Sequence, residues 1–328
     1  MSSARPLKNV SDEEFSKLYA TIGPSRISEI YNVSISNVKR RRKRTERRLD
    51  RALVPPQCHN LPVKSDAPGR IHLDIKDGVI IVGSDAHYWP KNEKGEKNPP
   101  SIAHRAFVDF CKKLKPEIVV MNGDAFDGAT VSRHARINWE YVPTVQEELA
   151  ECQTRLSEIA AAAKNANLIW TLGNHDARFE MRLANIAPEY KGVKGVHLRD
   201  HFPKWRGAWS AFISETLVIK HRMKGGVHAT HNNTVAGGLS ICTGHLHSLK
   251  VTPYSDYRGT RYGIDCGTLA AINPRGAQFQ AYLEDNPVNW RSGFVVFTFE
   301  KGEMLQPETV LVREDGRVDF RGKLTSYD

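Results

Sequence analysis

Apolar residues change their period near residue 70. Between residues 11 and 49 they recur at helical spacing. Ser11-Asp12-Glu13-Glu14 has the form of a capping box ahead of Phe15, Leu18 and Tyr19, which predicts a helix. Gly23-Pro24 breaks that helix. Ile27, Ile30 and Tyr31 then mark a short second helix that stops at Asn32, a residue tolerant of left-handed backbone. Ser34 caps a third helix, which turns Val38 inward and carries Lys39, Arg40, Arg41, Arg42, Lys43, Arg44, Arg47 and Arg48 over the rest of its surface. Residues Ala52 to Arg70, with Pro55-Pro56, Pro62 and Ala67-Pro68-Gly69, have little periodicity and read as an extended linker.

Beyond the linker, Ile71 to Ile75 alternates, Asp77-Gly78 predicts a hairpin turn, and Val79 to Val82 reads as a buried strand. An amphipathic helix on Ile102, Ala106, Phe107, Phe110 and Leu114 feeds a strand at Ile118 to Met121. A second, on Leu149, Cys152, Leu156, Ile159 and Ala163, feeds a strand at Leu168 to Leu172. This is repeated β-α-β winding. After the strand Leu217 to Lys220, the runs Ser240–Thr243, Arg261–Asp265 and Phe294–Phe299 are not separated by clear helices, which predicts a more β-rich layer.

Composition narrows the class. With 328 residues, 40% hydrophobic and 26% charged, the chain is that of a globular protein with a sizeable core. No apolar run is long enough to cross a membrane and residues 1–10 lack the apolar core of a signal peptide, so a cytoplasmic location and no membrane partner are expected. Five scattered cysteines without a C-x-x-C pair point to reduced packing residues. Residues 1–60 hold 13 Lys/Arg against 6 Asp/Glu, so most of the net charge of +10 sits there and calls for a polyanionic partner.

Ser25 to Arg44 resembles a helix-turn-helix unit, whose last helix lies in the major groove of DNA. On that resemblance Ser36, Asn37, Arg40 and Arg41 take the base-facing positions, and Lys43 and Arg44 join the nucleic-acid-binding set. So many cations favour salt-sensitive phosphate contacts over sequence readout. The competing reading is a solvated basic helix that only aids solubility.

The apolar strands end in polar residues that are costly to bury without a purpose. Asp85-Ala86-His87 follows the first, Gly123-Asp124-Ala125-Phe126-Asp127 the second and Gly173-Asn174-His175-Asp176 the third. His221 follows the fourth and Gly244-His245-Leu246-His247 the fifth. Sites in open α/β sheets form outside the carboxyl ends of strands. Carboxylate, imidazole and amide donors without thiolate suit divalent Mn, Fe, Zn or Ni.

From Asp85 to His247 the chain resembles the calcineurin-like metallophosphoesterases, whose signature is D-x-H, G-D-x-x-D, G-N-H-D/E, H and G-H-x-H in that order. The resemblance implies an αββα sandwich over residues 70–300, preceded by a basic helix-turn-helix-like segment (1–52) and a linker (53–69), and followed by a C-terminal strand or tail (301–328). It implies two divalent ions, Mn²⁺ first and Fe, Zn or Ni as alternatives. Asp85, His87 and His247 would hold one ion, Asn174, His221 and His245 the other, and Asp124 would bridge them. His175 would stabilise the transition state or protonate the departing oxygen, and Asp127 and Asp176 would orient imidazoles. His221 is followed by Arg222 rather than the family's Gly, which leaves His228 as its rival.

Arg133, His134 and Arg178 are candidates to reach substrate, the Gly225-Gly226-Val227-His228 loop to hold a phosphate, and Trp89, Trp139, Trp205 and Trp209 to stack bases. Protein serine/threonine phosphatases of the superfamily carry G-D-x-x-D-R-G and G-N-H-E. Here Asp127 is followed by Gly128-Ala129 and Asp176 stands in place of the glutamate, so phosphoprotein is disfavoured. With its basic segment the chain is similar to bacteriophage metallophosphoesterases, and a phosphodiesterase or nuclease acting on DNA or nucleotides is the leading expectation. The alternatives are a phosphomonoesterase, a cyclic-nucleotide phosphodiesterase, or a non-catalytic DNA-binding regulator with structural metals.

Overall fold

A computed structural model describes residues 6–53, 69–92, 94–134, 141–272 and 288–327. The expected linker, apart from its end residues Leu53 and Gly69, lies outside them, as do Cys58 and Trp139. The chain divides into two units, residues 1–63 and 64–328.

In the first unit, α1 (Asp12–Ile30) starts where the Ser11 hydroxyl accepts the Glu14 N–H at 3.1 Å. Its two halves are kinked at Gly23, whose φ of 71° a side chain would strain, and Pro24 then occupies the first turn of the second half. Asn32 takes the left-handed conformation expected of it, and Ser34 caps α2 (Ile35–Leu49) by accepting the Asn37 N–H. Phe15, Tyr19, Ile27 and Val38 form the core with Leu7, Val10 and Leu53.

The cations of α2 fall into two sets. Arg41 donates to the Val10 carbonyl at 2.8 Å, lies 2.9 Å from Asp12 Oδ1 and covers the Phe15 ring. Arg48 donates to Asp12 Oδ2, Arg42 pairs with Glu46, and the buried Thr45 hydroxyl donates to Asp12 Oδ1 at 2.8 Å. Lys39, Arg40, Lys43, Arg44 and Arg47 face solvent. Arg41, expected among the base-facing residues, is therefore turned inward. An acceptor-rich carboxylate at the start of α1 outcompetes water for it.

The second unit packs two sheets face to face. The larger runs from β5 (Arg206–Ala208) through β4 (Asn167–Thr171), β3 (Ile118–Met121) and β2 (Gly78–Gly83), all parallel, to antiparallel β11 (Gly293–Glu300). It continues through β13 (Glu308–Val312), β14 (Val318–Phe320) and β15 (Lys323–Thr325), with β12 (Glu303–Met304) folding back on β11, so the C-terminal segment extends this sheet. The smaller has the order β1 (Arg70–Leu73), β6 (Ser210–Ile213), β7 (Leu217–Ile219), β8 (Ser240–Thr243), β10 (Gly259–Asp265), β9 (Lys250–Asp256).

Alternation along the central strands supplies two cores. Ile80, Val82, Ile118, Val120, Val295 and Phe297 meet Ile213, Leu217, Ile219, Cys242 and Ile264 between the sheets. Ile81, Val119, Met121 and Val296 face outward under α3 (Ile102–Leu114), α4 (Val145–Ala162) and α5 (Asp176–Ile186). The short α6 (Ala229–Gly237) covers the smaller sheet at β8, β9 and β10, completing the αββα sandwich.

Two expectations are corrected. Asp77-Gly78 does not close a hairpin. β1 pairs with β6 in one sheet and β2 with β3 and β11 in the other, and the Ser214 hydroxyl ties the chain between them by bonding both the N–H and the carbonyl of Ile75. β2 is apolar on both faces and takes a central place that a half-exposed β1 cannot share. The stretch before β8, expected to lack a clear helix, forms α6, which leaves no amphipathic pattern because it buries Thr230, Asn233 and Thr234 rather than an apolar stripe.

Asp12→Ala removes the acceptor shared by Thr45, Arg41 and Arg48, and is expected to destabilise the first unit by about 1.5–3 kcal/mol. Hydrogen exchange of the α2 amides in the whole chain reads this, and unchanged protection there would refute it.

Candidate metal centre

Five strands from both sheets end at one place. β2 leads to Asp85 and His87, β3 to Asp124, β4 to Asn174 and His175, β7 to His221, and β8 to His245 and His247. Asp85, His87, Asp124, His245 and His247 all have left-handed backbone, with φ between 40° and 71°. Each such non-glycine residue costs on the order of 1 kcal/mol, and this clustering is the mark of a functional site rather than of a stable turn. Glycines let the segments approach. A Cβ on Gly173 would collide with the Asp124 carboxylate, and one on Gly123 with the His221 ring.

The donor atoms form three overlapping clusters that could hold a metal ion: Asp85, His87 and His247; Asp124, His221 and His245; and His87, Asp127 and His175. Asp85 Oδ1 lies 3.0 Å from His247 Nε2 and 4.0 Å from the Nε2 atoms of both His87 and His221. His221 donates from Nδ1 to the Asn122 carbonyl at 2.8 Å, which turns Nε2 toward the carboxylates. That Nε2 is 3.0 Å from Asp124 Oδ2 without the alignment of a hydrogen bond. Asn174 Oδ1 is likewise buried without a hydrogen-bond partner. These orphaned acceptors, all oxygen or imidazole nitrogen, fit divalent ions of the Mn, Fe, Zn or Ni type.

Charge is balanced by coupling. Burial disfavours ionised Asp127, but hydrogen bonds from His87 and His175, both 2.8 Å from Oδ1, hold its carboxyl far below the usual range. Burial also works against charge on His87, and the Asp127 hydrogen bond with the surrounding carboxylates raises it to about 9. His221, with burial opposing and Asp85 and Asp124 favouring the cation, is raised to about 10.

Asp176 departs from its expected role. It touches no imidazole. Its Oδ2 accepts from the Asp124 and Gly173 N–H groups and the Trp170 indole, and its Oδ1 from the Phe126 N–H. It binds two loops together through neutral donors, and burial raises its pKa to about 6. Asp127 lies 2.8 Å from two imidazoles, those of His87 and His175. Of the fourth-block rivals, His221 lies in the cluster, whereas exposed His228 sits at the start of α6 and the Gly225–Val227 loop is exposed beside it.

Arg178 reaches His175, while Arg133 and His134 are exposed. Trp205 is buried, Trp89 partly so, and Trp209 exposed. Three contributors lie outside the expected set. Trp290 packs its ring 4.0 Å from that of His247, Glu148 accepts the Asp127 and Gly128 N–H groups, and Asp265 accepts that of Ser248. Only Glu148 carries a signal in the sequence, as a charge on the inward face of an amphipathic helix.

The sequence matches the family described as calcineurin-like phosphoesterase over residues 79–262. No curated protein matches it. Among the solved structures similar to it are these three. Yfce, a phosphoesterase from E. coli, is 11% identical with a TM-score of 0.34, covering 76% of this chain and 100% of its own. Vps29 from Chaetomium thermophilum is 10% identical with a TM-score of 0.38, covering 76% and 98%. A protein serine/threonine phosphatase from Saccharomyces cerevisiae with similarity to human phosphatase PP5 is 12% identical with a TM-score of 0.35, covering 75% and 85%.

A cation entering these clusters must expel the protons that His87 and His221 hold up to about pH 9 and 10. Raised pKa values mean tighter protons, so metal affinity is expected to fall with falling pH, roughly tenfold per proton per unit. Calorimetric titration with Mn²⁺ at pH 8 and pH 6 measures this, and equal affinities would contradict it.

Proposed function

The chain belongs to the calcineurin-like phosphoesterase family and is a phosphoester-hydrolysing enzyme; from that premise we propose that it is a two-metal phosphodiesterase acting on nucleic acid. Asp85, His87 and His247 would hold one divalent ion and Asn174, His221 and His245 the other, with Asp124 available as a shared ligand. His221 Nε2 between the Asp85 and Asp124 carboxylates, together with the buried, unpartnered Asn174 Oδ1, is the observation that supports this reading. Mn²⁺ is the first choice of ion, with Fe, Zn and Ni as alternatives. Bound there, such ions polarise phosphoryl oxygens and make water nucleophilic near neutral pH.

The protein's own groups do the rest. Asp127 fixes Nδ1 of His87 and of His175, so their Nε2 edges are presented in fixed orientation. Asp176 keeps the Asp124 and Asn174 loops in register through their backbone. His175, 14% exposed, stands where charge builds during displacement, and stabilises it or protonates the departing oxygen.

The exposed cations of α2 support a nucleic-acid substrate. Lys39, Arg40, Lys43, Arg44 and Arg47 share one side of the helix, and Asn37 near its start accepts from Arg40 at 2.8 Å. Such a face gains affinity from counterion release, and removing one phosphate-binding cation flattens the salt dependence by about 0.9 in log–log slope.

Mn²⁺-loaded protein is expected to hydrolyse bis-p-nitrophenyl phosphate and DNA, with Asp124→Asn and His175→Ala each at least ~10²-fold slower. Replacing Lys39, Arg40, Lys43, Arg44 and Arg47 by Ala should weaken DNA binding and cleavage and leave small-diester hydrolysis intact. Preference for p-nitrophenyl phosphate over the diester, or DNA cleavage indifferent to the five changes, would overturn the nucleic-acid reading.

A further inference from the structure

Arg178, in the first turn of α5, has geometry that its place after the G-N-H-D block does not explain. Its Nη1 donates to the Asp127 carbonyl at 2.9 Å, and its Nη2 donates to His175 Nε2 at 3.2 Å. Arginine is always a donor, so Nε2 accepts. Nδ1 of the same ring lies 2.8 Å from the Asp127 carboxylate and 3.1 Å from the Asp127 carbonyl, and supplies its proton to Asp127. Arg178 thus occupies the edge of His175 that a phosphoryl or leaving oxygen would meet.

That edge belongs to the metal centre. His175 Nε2 is 4.0 Å from Asp124 Oδ2, so the guanidinium and this carboxylate flank one imidazole edge. The stem of Arg178 is held against Gly128, where an added Cβ would lie 3.1 Å from Arg178 Cβ and 3.3 Å from Cδ. Only its end is free to re-aim. Of its five N–H groups, two are used by the Asp127 carbonyl and His175, and the other three find no acceptor among the described residues. The Asp127 carboxylate, 3.7 Å away, attracts the charge without accepting a hydrogen bond.

We propose that Arg178 is a substrate-binding residue that grips the oxygens of the phosphoryl group, exchanging His175 Nε2 for a phosphate oxygen when the ester binds. An anionic oxygen is the better acceptor, because it adds the attraction of opposite charges and can take two N–H groups of the guanidinium fork, neither of which a neutral imidazole nitrogen offers. The exchange frees the edge of His175 that Arg178 had capped; Nε2 carries no proton in that pairing and must take one up from water before it can donate to a departing oxygen. The inference rests on the phosphoester reading of the site but not on nucleic acid as the substrate.

Wild type, Arg178→Ala and Arg178→Lys, loaded with Mn²⁺, are compared by calorimetric binding of inorganic phosphate, by kcat and KM on bis-p-nitrophenyl phosphate, and by bound metal per chain. Arg178→Ala should bind phosphate at least tenfold more weakly and lose about 10²–10³-fold in kcat/KM, with metal content unchanged. Arg178→Lys should recover only part of the phosphate affinity, since it cannot present the fork. Phosphate affinity within twofold of wild type in Arg178→Ala, or a loss that tracks loss of metal, would overturn the proposal. Wild type that binds phosphate through Arg178 yet cleaves no diester would instead remove the diesterase reading and leave this one standing.

Discussion

Buried carboxylate charge is the constraint from which the rest of the second unit follows. Asp85, Asp124 and Asp127 are almost wholly withdrawn from water. An unpaired carboxylate so placed would cost several kcal/mol. Each is therefore met by imidazoles or backbone N–H groups from other strands: Asp85 by His247 and the His245 N–H, Asp124 by the His175 N–H, Asp127 by His87 and His175. Those partners come from both sheets, so the sheets must meet at their carboxyl ends. Apolar burial between them favours packing in general, whereas the carboxylates demand one particular alignment.

The same demand explains the backbone. Five candidate ligands sit in left-handed conformations that strand residues avoid, and glycines at 123, 173 and 244 leave no Cβ where neighbouring ligand side chains pass. The strain persists because loops after five strands are cross-linked. Asp176 ties the second to the third, the Asn122 carbonyl ties the second to the fourth through His221, and Asp85 ties the first to the fifth. Removing one tie loosens two loops, so the parts of the centre are not independent.

How much of this is legible in the sequence depends on contrast. β3 and β8 are predicted to the residue because each is a short apolar run cut off by polar chemistry that has no reason to be buried except to meet a partner. The capping of α1 and α2 and the break at Gly23 are legible because capping and left-handed turns are local physics. Contrast fails in the run from Lys39 to Arg48. Eight cations in ten positions give no periodic signal, so nothing marks Arg41 as inward until the fold brings Asp12, 29 residues earlier in sequence, to take it. Asp77-Gly78 misleads for the opposite reason. Turn chemistry is local, but whether the strands it joins pair with each other is decided by which sheet can bury them. Trp290 leaves no trace because its partner His247 is a neighbour only in space.

Asp127 and Asp176 lie in adjacent motifs and are both buried, yet burial raises one while its partners drive the other down. The difference is the charge those partners can carry. Asp176 is surrounded by amide and indole N–H groups, which stay neutral, so it serves as a clamp on the chain. Asp127 is surrounded by imidazoles, and it and His87 stabilise each other's ionised forms. The same logic holds for His221 between Asp85 and Asp124. Protonated imidazoles can supply at this centre the positive charge that divalent ions supply when bound, which lets the carboxylates stay buried and aligned before any ion arrives. A scaffold neutralised in this way is organised for cations by its own protons, and it exchanges one set of positive charges for another without having to rebuild the loops that hold them.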